Sequence, residues 1–185
     1  HQPDTLLKWA QAEKQLNQGL RELPPLVTDR LWKAQVEAIT NLEKSFAANK
    51  PRALIQMATG SGKTFTAVNF TYRLIKNAGP RRVLFLVDRG NLGDQTYKEF
   101  QQFVSPVNNY KFTEEFNVQR LRRNTIDPAA KVCITTIQRL YSILKGEEEF
   151  EEDNEEGSLF ETAPSLIKEP LPVVYNPKVP PETFD

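Results

Sequence analysis

Apolar positions along this chain follow two different periods. Leu6, Trp9, Ala10, Leu16 and Leu20 recur mostly at helical spacing behind Asp4, a residue type that caps helix N-termini, and Leu23-Pro24-Pro25 closes the run. From about Asp29, the residues Trp32, Val36, Ile39, Leu42 and Phe46 advance by threes and fours until Asn49-Lys50-Pro51, which predicts a second helix. The period then shortens. Ala53-Leu54-Ile55-Gln56-Met57 predicts a short buried strand, followed by a glycine-containing loop and a helix from about Lys63 to Asn77 that Gly79-Pro80 ends. Val83-Leu84-Phe85-Leu86-Val87 is an unbroken apolar run of strand length, the pattern of a strand buried on both faces of a parallel sheet. A helix from about Leu92 to Phe103, a stretch of mixed character, a third strand at Lys131–Thr135 and a short helix from Ile137 to Lys145, capped by Gly146, complete the order. The succession β-α-β-α-β predicts right-handed crossovers and an α/β fold, an open parallel sheet with flanking helices. Residues 1–50 then form a helical connector ahead of it.

Composition changes abruptly after Gly146. Eight of the ten residues 147–156 are Glu or Asp, and residues 157–185 hold six of the 13 prolines, so the expectation is a solvated acidic loop and an extended Pro-rich segment. The zero net charge hides this division. Residues 1–146 carry 22 basic and 12 acidic side chains, a net of +10, whereas residues 147–185 carry 2 and 12, a net of −10. A basic body suits a polyanion such as nucleic acid, because each Lys or Arg set on a phosphate releases a counterion. The matched charges raise a sharper idea, that the acidic run competes with DNA for the basic face. One cysteine, Cys133, and one histidine, His1, leave no internal disulfide, no zinc cluster and no Ser-His or Cys-His pair. No apolar run approaches the roughly 20 residues of a membrane span, so a soluble, cytoplasmic protein is expected. The chain begins with His1, and a piece of a longer protein is the expectation.

The chemistry concentrates at Ala58-Thr59-Gly60-Ser61-Gly62-Lys63-Thr64, between the first expected strand and its helix. Gly60 and Gly62 can adopt backbone angles that turn successive N–H groups inward onto a β-phosphate, and the following helix adds its positive N-terminal end. Lys63 has the reach for the β- and γ-phosphates, and the Thr64 hydroxyl suits Mg²⁺. Met57 stands where the usual pattern has Gly or Ala. A phosphate loop serves kinases, GTPases and motors alike. Asp88, at the end of an apolar strand, is either a metal ligand, which would make the chain a nucleoside or small-molecule kinase, or a strand-end cap. A non-catalytic interaction module is a further alternative.

Together with that loop, Arg82–Arg89 with Leu92 and Gln95, and Ile134-Thr135-Thr136-Ile137-Gln138-Arg139-Leu140, resemble motifs I, Ia and the following Thr-rich motif of superfamily 2 helicase-like ATPases. The likeness is to the restriction subunit of type I restriction-modification enzymes, from about Leu31 to Asp185; other superfamily 2 helicases and type III restriction motors are alternatives. The resemblance implies the first part of a RecA-like motor lobe at residues 51–146, using ATP and Mg²⁺ and moving duplex DNA beside modification and specificity subunits. It implies that Gln35 reads adenine and that Arg89, Thr135, Thr136 and Gln138 meet DNA phosphates. In this family the Asp-Glu pair of motif II follows the segment resembling Tyr175–Asp185. The chain has no Asp-Glu-x-His and no Asp-x-Lys or Glu-x-Lys triplet, so little ATP turnover and no DNA cleavage are expected of it alone.

Overall fold

Among the described residues, three short strands form one sheet, β1 (Val83–Val87), β2 (Val118–Arg120) and β3 (Val132–Thr136). The computed structural model describes residues 3–157 and 174–184, and divides into two units, residues 1–80 with 103–111 and residues 81–102 with 112–185.

The first unit is helical. Helices α1 (Pro3–Arg21), α2 (Lys33–Ala47) and α3 (Lys63–Ala78) follow the apolar periodicity of the sequence. Gly19 lets α1 approach α3 closely, since a Cβ there would lie 2.6 Å from Ala78 Cα. Helices α2 and α3 are joined by Phe46 against Phe70 and by Arg73, which donates to Glu43 at 2.6 Å and to the Pro24 carbonyl at 2.6 Å. Helix α2 starts at Lys33 rather than near Asp29, because residues 29 and 30 turn and Leu31 N–H bonds the Thr28 carbonyl. The expected strand Ala53–Met57 is not a strand. It runs without a ladder partner among the described residues, and Leu54 is 94% exposed. Its apolar composition suits a strand, but a strand exists only where another supplies its hydrogen bonds.

The second unit holds the sheet, in the order β1-β3-β2 with both pairings parallel. Val83 pairs with Val132 and Val87 with Thr136, while Val118 also aligns with Val132. Strand β3 is therefore central and buried at all five positions. β1, expected to be buried on both faces, instead leaves Leu86 45% exposed, as an edge strand of this sheet does. The stretch of mixed character contains α5 (Phe112–Glu115) and β2, too short to show a period. Helix α4 (Gly90–Gln102) brings Phe100 edge-on to both Phe85 and Phe112. Helix α6 (Ile137–Lys145) ends at Gly146 in the left-handed conformation, as the sequence predicts, and packs Ile143 into a core with Leu121, Ala130 and Cys133. The acidic run is more than a solvated loop: Glu152–Glu155 form a 3₁₀ turn and Glu155 is 3% exposed. The expected Pro-rich segment lies in part at residues 158–173, outside the described residues.

Candidate functional site

The glycine loop opens α3 with an unusual N-terminus. Gly62, at its N-cap, is left-handed with φ 76° and ψ 37°, and Gly60 is left-handed as well. A Cβ on Gly60 would meet nothing within 4 Å, so this side of the loop is open to an approaching group. One carbonyl, that of Ala58, accepts from the Ser61 hydroxyl at 2.6 Å, from Ser61 N–H at 3.3 Å and from the Lys63 ammonium at 3.1 Å. Lys63 is exposed and held by a neutral acceptor, an arrangement that a phosphate oxygen can replace. Thr64 is half-buried in the first turn of α3. Behind it, Thr66 donates its hydroxyl to the Gly62 carbonyl at 2.9 Å and secures the turn.

Gln35, from the first turn of α2, reaches this loop across 26 residues of sequence. It is 4% exposed. Its Oε1 accepts from Trp32 N–H at 2.9 Å and its Nε2 donates to the Ser61 carbonyl at 3.2 Å. A Cβ on Gly62 would sit 2.5 Å from Gln35 Nε2, so glycine both suits the left-handed φ and leaves that amide where it is. The cleft beside the loop, about 580 Å³, lies between α2 and residues 53–58.

The residues assigned to DNA lie in the second unit. Arg89 precedes α4 with its Nε 3.6 Å from the Asp88 carboxylate, both side chains over a third exposed. Thr135 and Thr136 are fully buried. The Thr136 hydroxyl caps α6 by accepting from Arg139 N–H at 3.2 Å and donates to Glu155 at 2.6 Å. Gln138 Nε2 donates to the Gly157 carbonyl at 3.0 Å. Three side chains given no role from the sequence, those of Arg120, Arg139 and Glu155, meet here: Arg139 Nε donates to one Glu155 carboxylate oxygen at 2.8 Å, and Arg120 Nη2 donates to the other at 3.0 Å. The i to i+3 step from Thr136 to Arg139 was the one available signal. Burial would raise the Glu155 pKa, but hydrogen bonds from Arg139 and Thr136 and the charge of Arg120 outweigh it, leaving it below the ordinary range. Burial pushes the Cys133 thiol up to about 11, so it is no nucleophile near neutral pH. Among the described residues, no group of three His, Cys, Asp or Glu could hold a metal, and no helix is long and apolar enough to cross a membrane.

Residues 29–161 match the family described as type III restriction enzyme, res subunit. Among curated proteins, the endonuclease subunit of the type I restriction enzyme EcoKI of Escherichia coli K12 is 33% identical over 76% of this chain and 12% of its own length. The endonuclease subunit of type I enzyme EcoAI of Escherichia coli is 34% identical over 62% of this chain and 12% of its own. That of SauCOLORF180P of Staphylococcus aureus strain COL is 31% identical over 64% and 13%. The chain thus spans about an eighth of the length of these relatives. No solved structure matches it.

Proposed function

Because the chain belongs to the type III restriction enzyme res subunit family, we propose that it is the ATP-binding part of the DNA-translocating motor of a type I restriction endonuclease. The relatives named above are type I endonuclease subunits, which favours type I over type III. The observation that carries the nucleotide reading is the loop itself. Two left-handed glycines open a 16-residue helix beside a lysine held only by a carbonyl. In that setting the loop amides and the helix terminus bind a triphosphate tail, and Lys63 moves from Ala58 to the β- and γ-phosphates. The hydroxyl of Thr64 would help to hold a Mg²⁺ ion, which would supply charge neutralisation on the nucleotide's phosphates. Gln35 braces the loop through Ser61 and, in this reading, presents its edge of the cleft to adenine. In the intact protein, ATP-dependent closure would drive duplex DNA past a complex containing modification and specificity subunits, in the cytoplasm. The kinase alternative is less favoured, because Asp88 has an arginine 3.6 Å away, a competitor for any metal.

Calorimetric titration of ATP with Mg²⁺ tests this. Lys63→Ala should weaken binding by about tenfold or more, the loss of a charged hydrogen-bond donor to phosphate. Equal affinity in the two proteins would remove the loop from any nucleotide role.

A further inference from the structure

Glu155 comes from the most acidic stretch of the chain and yet is 3% exposed. Its Oε1 accepts from Thr136 Oγ1 and Arg139 Nε, and its Oε2 from Arg120 Nη2. Two guanidinium groups thus share one carboxylate. Asp94 lies 3.5 Å from Arg120 Nε, but its side chain is 44% exposed and its charge is screened by water. Arg120 Nε and Arg139 Nη2 are buried and make no hydrogen bond among the described residues. Buried donors left unsatisfied are costly, so a cluster with more donors than its carboxylate engages is better matched by an oxyanion that accepts from more directions. A phosphodiester, with two non-bridging oxygens on a tetrahedral centre, accepts from more directions than a planar carboxylate.

An open cleft of about 460 Å³ adjoins the cluster, lined by Gly90, Asn91, Arg120 and Arg122 and by four carboxylates, Asp94 of α4 and Asp153, Glu155 and Glu156 of the acidic segment that would be displaced. Gly90 and Asn91 begin α4, so the positive end of a 13-residue helix borders the cleft. Gly93 accommodates Arg120, since a Cβ there would lie 2.5 Å from Arg120 Nε. The segment carrying the carboxylate is slight by comparison. It is one 3₁₀ turn, followed by the bond from Gln138 to the Gly157 carbonyl, with Asp153 and Glu156 exposed. Eight acids in the ten residues 147–156 repel one another, which lowers the cost of lifting it.

We propose that Thr136, Arg120 and Arg139 form a receptor for a backbone phosphate of duplex DNA, filled in the DNA-free chain by the Glu155 carboxylate as an internal competitor. The inference rests on the reading of the chain as a DNA-tracking lobe, and narrows competition by the acidic run to one side chain.

Binding of a short fluorescent duplex is measured across a salt series for the unsubstituted chain, Glu155→Gln and Glu155→Gln with Arg120→Gln. Glu155→Gln should bind severalfold tighter, with a slope of log K against log salt steeper by about 0.9, one additional counterion released. Adding Arg120→Gln should abolish the gain. Equal affinity and slope in a folded Glu155→Gln protein overturn the inference alone; absence of DNA binding in all three overturns the wider reading with it. Hydrogen exchange in the unsubstituted chain decides the matter without a variant: amides 152–157 should exchange faster when the duplex is added, and unchanged exchange at saturation overturns the proposal. Inorganic phosphate at matched phosphate concentration should leave that exchange unaltered. If it opens the segment equally, the ligand is a free oxyanion and the assignment to DNA fails.

Discussion

Gly62 shows how much one residue can fix. Its φ of 76° is open to glycine at little cost, and its missing Cβ leaves room for Gln35 Nε2. Gly62→Ala meets both restrictions, at about 1–2 kcal/mol for the left-handed backbone alone. Displacement of Gln35 adds to that cost. A thermal melt should record the loss of stability, and titration with ATP a fall in affinity exceeding that expected from stability alone. A protein as stable as the original, with unaltered affinity, would mean that the loop does not hold this conformation in solution. The left-handed glycines could be read from the sequence, because Gly-x-Gly-Lys-Thr before a helix leaves few other conformations. The role of Gln35 as a brace for Ser61 could not, since nothing in the chain between them signals the contact.

At the scale of elements, the β3–α6 junction carries the second candidate face. Thr136 ends the central strand, caps the helix through its hydroxyl and donates a hydrogen bond from the same hydroxyl to Glu155. Thr136→Val keeps the shape and removes both bonds. It should cost about 1 kcal/mol for the cap, and more for the carboxylate left short of a donor. Thr136→Ser should recover most of this. Denaturant unfolding of the two variants separates them, and equal midpoints would mean that the hydroxyl contributes nothing. Among the described residues, the apolar periods locate every helix of nine residues or more, and they locate β1 and β3 to within a residue. They miss β2, whose three residues carry no period, and they overstate Ala53–Met57, where composition alone cannot supply a neighbouring strand.

For the molecule as a whole, the division of charge gains a structural meaning through Glu155. Its folded pKa lies below the ordinary value of 4.5, so folding favours the ionised form. The stability it contributes is complete above that ordinary value and is lost as pH falls through the lower, folded one. Glu155→Gln should therefore flatten the decline of melting temperature below about pH 4.5, beyond the change at neutral pH. A decline of the same steepness in both proteins would assign acid sensitivity to other carboxylates.

The sequence by itself determined the local features: the loop between residues 58 and 64 with its left-handed glycines, the helical stripes, the glycine cap of α6 and the separation of basic body from acidic tail. Each depends on φ and ψ limits, capping or composition acting within a few residues. Tertiary structure alone decided that Gln35 meets Ser61, that β3 is flanked by β1 and β2, and that one glutamate of the acidic run is buried against Arg120 and Arg139. Those outcomes rest on partners 16 to 35 or more residues apart, where hydrogen-bond and charge complementarity is realised only once the chain has folded.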